Sequence, residues 1–280
     1  MENVPLSGDD PQKRFGHTVT LISKTKAVLF GGAISSEGNY KITGDTFLFD
    51  CTNCSWRRIH PNWEEQRGPC PRAAHAATVV EELQMVVFGG AIGHGTLADD
   101  ELYLLKNVDN GPGSWVKVPV DSGRRPGPRY GHSIVYFKPF IVVFGGNTGQ
   151  EPYNDVWGMN VDKQPFVWNK ITCVGRAPPP RVYHTASIWR TPNKTEMVLI
   201  FGGRTNDSNP LNDLWGLRRH NNGDWDWLEA PYRPSCQPPA ERYQHSAVCF
   251  KNLFIVIGGR NNNQDTNLNM EIFNLDNSEW

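Results

Sequence analysis

The chain has 280 residues, 38% of them apolar and 20% charged, which is the composition of an ordinary globular protein and excludes a disordered or collagen-like chain. Its 28 Lys and Arg balance 29 Asp and Glu to a net charge of −1, so no long-range attraction to nucleic acid or to an anionic membrane is expected. No apolar run approaches the ~18 residues of a membrane-spanning helix, and residues 1–5 lack the basic start of a secretory signal, so the chain reads as cytoplasmic or nuclear.

Residues 1–13 read as a lead-in, too short to form a folding unit. From Arg14 the same sequence of features recurs in units of approximately 14–60, 72–119, 129–172, 181–229 and 242–280. Each unit opens on an Arg-x-x-His tetrapeptide: Arg14 to His17, Arg72 to His75, Arg129 to His132, Arg181 to His184 and Arg242 to His245. An apolar run then leads into paired glycines beginning at Gly31, Gly89, Gly145, Gly202 and Gly258, at separations of 58, 56, 57 and 56 residues. Next comes an acid opening a further apolar segment, at Asp45, Glu101, Asp155, Asp213 and Glu271. A tryptophan closes each unit, at Trp56, Trp115, Trp168, Trp225 or Trp227, and Trp280.

The third unit shows the predicted elements most plainly. Strands are expected over 133–137, 140–144, 156–159 and 166–171, each bounded by turn residues, and no helical period competes. The second strand of each unit is continuously apolar, which implies burial on both faces between stacked sheets. The paired glycines let the chain leave that strand at positive φ, where a β-branched residue would be strained. Four-stranded units repeated radially make a propeller. A β-solenoid would show shorter repeats and no tryptophan period.

The Arg-x-x-His, Gly-Gly, acid and Trp signature resembles Kelch repeats and covers residues 14–280. The resemblance implies an all-β, Kelch-type β-propeller of four-stranded antiparallel blades, five of them recognisable and six expected in a complete domain. With the first strand innermost, as in Kelch propellers, the Arg-x-x-His segments and the loops after the glycines (33–44, 91–100, 147–154, 204–212 and 260–270) would share one face. Variable loops on a rigid scaffold are where recognition usually sits. The candidate partner-binding face is therefore Arg14, Arg72, Arg129, Arg181, Arg204, Arg242 and Arg260 with Tyr130, Tyr183 and Tyr243. Arginines beside aromatics suit acidic or phosphorylated proteins through charge-assisted bonds. A competing reading holds the five repeat arginines in place by acids or backbone carbonyls of their own units. Arg204 and Arg260 fall outside the repeat and fit the partner-binding reading better.

The repeat histidines are expected to hydrogen-bond neighbouring strands, and the tryptophans to pack between blades, with Trp63, Trp189 and Trp227 left over. A single CxxC at Cys51 and Cys54 makes a poor zinc site, so reduced thiols, no metal and no cofactor are expected. No phosphate loop, G-x-S-x-G elbow or His-Glu-x-x-His is present, and no catalytic residue is assigned.

Several stretches are more specific: residues 71–75, 127–132, 154–157, 164–171, 222–231 and 242–247. Together they resemble the N-terminal Kelch domain of the serine/threonine protein phosphatases that carry Kelch repeats. The resemblance implies a regulatory or targeting module whose parent is a hydrolase with a two-metal catalytic domain, not contained in these residues. It also implies six blades, so either the sequence is part of a longer one or the ring is open. An open ring predicts self-association through exposed strand edges. The alternatives are a free-standing Kelch scaffold or a metal-dependent Kelch enzyme.

Overall fold

The apolar runs before the glycine pairs become the second strands of five antiparallel sheets: Lys26–Phe30, Gln84–Phe88, Phe140–Phe144, Glu196–Phe201 and Leu253–Ile257. The computed structural model describes residues 5–36, 39–63, 68–109, 111–191, 195–231, 238–263, 266 and 269–280, and among them every regular element is a β-strand. Blade 1 runs Thr18–Leu21, Lys26–Phe30, Thr46–Asp50 and Ser55–Ile59, each strand antiparallel to the last. Blade 2 repeats this with Ala76–Glu81, Gln84–Phe88, Leu102–Lys106 and Ser114–Lys117, and blade 3 with Ser133–Phe137, Phe140–Phe144, Val156–Asn160 and Trp168–Ile171. Blade 4 uses Thr185–Arg190, Glu196–Phe201, Leu214–Arg219 and Trp225–Glu229. Blade 5 has Ser246–Phe250, Leu253–Ile257 and Met270–Asn274, with a single Asn274–Glu279 bridge in the fourth position.

The sheets gather into two compact units, one of residues Met1–Tyr130 with Lys163–Val167 and one of Gly131–Asp162 with Trp168–Trp280. Within the first, Val28, Phe30 and Leu48 of blade 1 pack against Met85, Val87, Tyr103, Leu105 and Trp115 of blade 2. Within the second, Val142 and Phe144 of blade 3 meet Val198, Ile200, Trp215 and Trp227 of blade 4. Blade 4 in turn covers Phe254, Val256 and Phe273 of blade 5 with Leu199, Phe201 and Leu214. Second strands bury both faces, as their unbroken apolarity requires: Met85, Val86, Val87 and Phe88 are all buried. Each such side chain contributes roughly 1.5–3 kcal/mol.

In blades 1, 2 and 4 the expected four strands are joined by a fifth. Ser7–Gly8 pairs parallel with Ser55–Trp56, Asn62–Trp63 with Ser114–Trp115, and Cys173–Val174 with Trp225–Asp226. In each case the segment leading into a blade lies along that blade's own fourth strand and occupies an otherwise bare edge. The lead-in thus belongs to blade 1. Two paired residues give no readable periodicity, which is why sequence alone does not announce them.

Candidate functional site

The Arg-x-x-His segment is first a structural device. Arg72, Arg181 and Arg242 are fully buried and Arg129 nearly so. Four of the guanidinium groups bond the carbonyl of their own blade's first paired glycine: Arg14 to Gly31 at 2.9 Å, Arg72 to Gly89 at 3.1 Å, Arg181 to Gly202 at 3.0 Å and Arg242 to Gly258 at 3.1 Å. All five repeat arginines also donate to a carbonyl just upstream, at Pro11, Cys70, Pro126, Pro179 or Ala240.

Acids complete the clamp. Arg181 holds Asp213 by two bonds of 2.8 and 2.7 Å, and Trp215 donates a third at 2.6 Å. Burial alone would raise the Asp213 pKa, but these bonds outweigh it and hold the carboxyl below its ordinary value. Arg14 faces Asp45 at 3.4 Å, and Arg242 faces Glu271 at 3.9 Å. In blade 2 the acid facing Arg72 is Asp99, at 3.4 Å, and not Glu101, which pairs with Lys117 at 3.0 Å. Asp99 is fixed there by the Tyr103 hydroxyl, which donates to it at 2.8 Å. Of the two readings of the repeat arginines, these contacts favour the structural one: the guanidinium groups are buried and bonded to carbonyls of their own units, out of a partner's reach.

The same tetrapeptide fastens each blade to the one before it. The Arg carbonyl accepts from the second paired glycine of the preceding blade, Gly32 to Arg72 and Gly146 to Arg181 at 2.9 Å, Gly90 to Arg129 at 2.7 Å and Gly203 to Arg242 at 2.9 Å. The residue two after each arginine is left-handed in all five units, with φ of 67° at Gly16, 53° at Ala74, 62° at Gly131, 61° at Tyr183 and 56° at Gln244. That conformation aims its N–H at the equivalent carbonyl one blade back: Ala74 to Gly16, Tyr183 to Gly131 and Gln244 to Tyr183.

The histidine then shares a 2.9 Å hydrogen bond with the hydroxyl that follows the preceding blade's histidine: His75 with Thr18, His184 with Ser133 and His245 with Thr185. This meets the expectation that the histidines bond neighbouring strands. Burial, then the neighbouring arginine, pushes His75 and His245 down to about 3 and His184 well below its ordinary value, so these rings are neutral.

A phenylalanine before four of the five glycine pairs, replaced by Ile257 in blade 5, is the apolar counterpart. Phe30 meets His75 and Trp115 at centroid distances of 5.2 and 5.0 Å, Phe144 meets His184 and Trp227 at 5.1 Å each, and Phe201 meets His245 and Trp280 at 5.2 and 5.3 Å. Trp227 is therefore the repeat tryptophan of blade 4, while Trp225 packs on Phe137 and Phe140 within the same core. Trp189 is half-buried against the blade 4–blade 5 cluster, and the Trp63 side chain lies outside the described residues.

Arg204 and Arg260 behave differently. In blades 2, 4 and 5 the residue after the glycine pair exchanges backbone bonds with the residue after the unit's arginine: Ala73 with Ala91, Val182 with Arg204 and Tyr243 with Arg260. The segments expected to share a face therefore lie side by side in these blades. The Arg204 guanidinium sits over two tyrosine rings, 5.5 Å from Tyr183 and 5.2 Å from Tyr243, whose centroids are 6.4 Å apart. It is half-buried, and among the described residues no hydrogen bond or ion pair engages it. Arg260 is exposed, likewise without an ion pair among the described residues. Tyr130 belongs to the first unit and is half-buried. Among the described residues no three His, Cys, Asp or Glu side chains are grouped as a metal site.

Comparison with known proteins agrees with this architecture. The KLHDC2/KLHL20/DRC7 Kelch-repeats domain family matches residues 1–191 and 166–280. Serine/threonine-protein phosphatase BSL2 of Arabidopsis thaliana is 36% identical over 252 residues, 84% of this chain and 23% of that protein. The flagellar outer-arm dynein alpha chain of Chlamydomonas reinhardtii is 31% identical over 206 residues, 70% of this chain and 4% of its own. Adagio-like protein 1 of rice (Oryza sativa subsp. japonica) is 30% identical over 269 residues, 89% of this chain and 39% of its own. This chain therefore spans only a minor part of these relatives. The match across all five blades and the shared Arg-x-x-His, Gly-Gly and Trp contacts place the chain in the Kelch-repeat family, with a Kelch-bearing serine/threonine phosphatase among its relatives.

Proposed function

We propose that the chain is the protein-recognition module of a Kelch-type serine/threonine phosphatase, taking acidic or phosphorylated protein segments at Arg204 and Arg260 beside Tyr183 and Tyr243. The observation that supports this is the state of the Arg204 guanidinium, steadied over two rings yet with its hydrogen-bond donors unengaged among the described residues. An arginine held in place loses less side-chain freedom when it captures a carboxylate or phosphate fork. The repeat arginines, buried within their blades, drop out of the recognition set. In this reading the module itself performs no catalysis and needs no cofactor, and it brings substrates to a catalytic domain elsewhere in the parent protein.

The test is a calorimetric titration of the intact chain with acidic and phosphoserine peptides selected from a peptide array. Two charge-assisted bonds at roughly 1.5 kcal/mol each make Arg204→Gln with Arg260→Gln weaken binding at least about tenfold. The loss should be larger at low than at high salt. Equal affinity of the variant and the unaltered chain would overturn the assignment.

A further inference from the structure

The hairpin joining the third and fourth strands of blade 1 carries two thiols. Asp50 and Ser55 face each other in the register of Thr46–Asp50 with Ser55–Ile59, and the four residues between them, Cys51, Thr52, Asn53 and Cys54, form the turn. The equivalent turns of the other four blades contain no cysteine, so the pair is not part of the repeat.

The turn is held from within and from both flanks. Asp50 Oδ1 accepts from the Thr52 N–H at 2.9 Å and from the Thr52 hydroxyl at 2.5 Å, and the Ser55 hydroxyl donates to Asn53 Oδ1 at 2.6 Å. The Cys51 N–H donates to the Thr25 carbonyl at 2.7 Å, and the Cys54 carbonyl accepts from the Ser7 N–H at 3.2 Å. Cys54 is left-handed, with φ of 53°, and its thiol reaches back across the turn to donate to the Cys51 carbonyl at 3.9 Å. The first and fourth residues of a turn have Cα atoms within about 7 Å, a span that a disulfide can bridge.

Access separates this pair from the other described cysteines. Cys51 and Cys54 are free thiols, the first exposed and the second half-buried. Burial pushes Cys173 up to about 11 and Cys249 up to about 12, so those two stay protonated at neutral pH and are poor nucleophiles. Cys70 Sγ is engaged by the buried Arg72 guanidinium at 3.2 Å. Cys236 lies outside the described residues.

We propose that Cys51 and Cys54 form a thiol–disulfide exchange site that takes low-molecular-weight disulfides of the glutathione class. The exposed Cys51 sulfur, as thiolate, attacks one sulfur of the small disulfide. That S–S bond breaks, a mixed disulfide forms at Cys51 Sγ, and the departing thiolate takes up the proton that Cys51 gave up. The Cys54 thiolate then attacks Cys51 Sγ and expels the second small thiolate, which takes up the proton from Cys54. Two protein thiols are thereby oxidised to one disulfide while one small disulfide is reduced to two thiols, and no other oxidant is needed. A ring this short gains little from chain entropy, and its sulfurs stay open to attack, so excess small thiol reverses the reaction. The site lies at the end of blade 1 opposite the loop that follows Gly31 and Gly32, and it is independent of the recognition role of Arg204.

The test equilibrates the full chain at neutral pH in mixtures of oxidised and reduced glutathione, traps the thiols by alkylation and maps the peptides by mass spectrometry. In the unaltered protein the peptide holding both cysteines should become two hydrogens lighter. The equilibrium constant against glutathione should be about 1 mM or more, the effective concentration of groups on a short linker. Cys51→Ser and Cys54→Ser each replace one sulfur on a surface turn and leave the near-ultraviolet circular dichroism unchanged. Each should instead accumulate a glutathione adduct at the remaining cysteine, at least about tenfold more than the unaltered protein does. Excess reduced glutathione should return the unaltered protein to two thiols. Adducts as abundant in the unaltered protein as in the variants would overturn the proposal. So would thiols that persist under a large excess of oxidised glutathione, or a disulfide from Cys51 or Cys54 to any other cysteine.

Discussion

Acidification tests the blade-to-blade contact at His245. The folded protein keeps this ring neutral down to about 3, whereas the unfolded chain takes up a proton near 6.5. Falling pH therefore favours the unfolded chain: the ring's contribution is whole above pH 6.5 and is lost progressively toward pH 3. At 1.36 kcal/mol per unit, the loss between pH 6.5 and 5 is about 2 kcal/mol for this one ring. The window is well chosen, because Asp213 titrates below its ordinary carboxyl value and so stays ionised throughout it. Urea unfolding followed by tryptophan fluorescence at pH 7.5, 6.0 and 5.0 should show the unaltered protein losing about 2 kcal/mol more than His245→Gln across that range. Gln also loses stability at pH 7.5, through the missing ring contact with Phe201, so the comparison rests on the pH dependence of each protein. Equal losses in the two proteins would refute the buried, neutral ring.

Gly202→Ala should destabilise the second unit by roughly 2 kcal/mol or more: at φ +61° its Cβ would lie 2.8 Å from both the Arg242 carbonyl and His245 Cε1, and urea titration reads the loss. Arg181→Lys should cost about 3 kcal/mol, because a single ammonium cannot replace both bonds to Asp213 while reaching the Gly202 carbonyl. Trp227→Ala should lower stability by about 3 kcal/mol or more through the cavity left beside Phe144, detectable as a lowered Tm in calorimetry.

Much of this fold is legible because its grammar is repetitive. The glycine pairs, the apolar second strands and the arginines recur at fixed offsets, and five concordant copies fix the strand order within each blade. The role of the arginines was not legible to the same degree. Sequence shows that Arg72 recurs in every unit and Arg204 does not, but burial and contacts show that the one is clamped on Gly89 and the other lies over Tyr183 and Tyr243. The left-handed residue within Arg-x-x-His had a faint signal, glycine at two of five positions, but Ala74, Tyr183 and Gln244 conceal it. Glu101 misled for a similar reason: it occupies the repeat position, yet Tyr103 secures Asp99 instead.

The parallel strands contributed by Ser7–Gly8, Asn62–Trp63 and Cys173–Val174 shift the phase of the repeat. The unit that duplicates cleanly does not start at the arginine but some seven residues or more before it, since a copy taken from the arginine onward would leave its outermost strand uncovered. Transplanting blade 4 into another Kelch scaffold should accordingly succeed when the graft begins ahead of Cys173 and aggregate when it begins at Arg181. The boundary that natural recombination would respect is therefore written in the backbone of the linkers, where the sequence motif is silent.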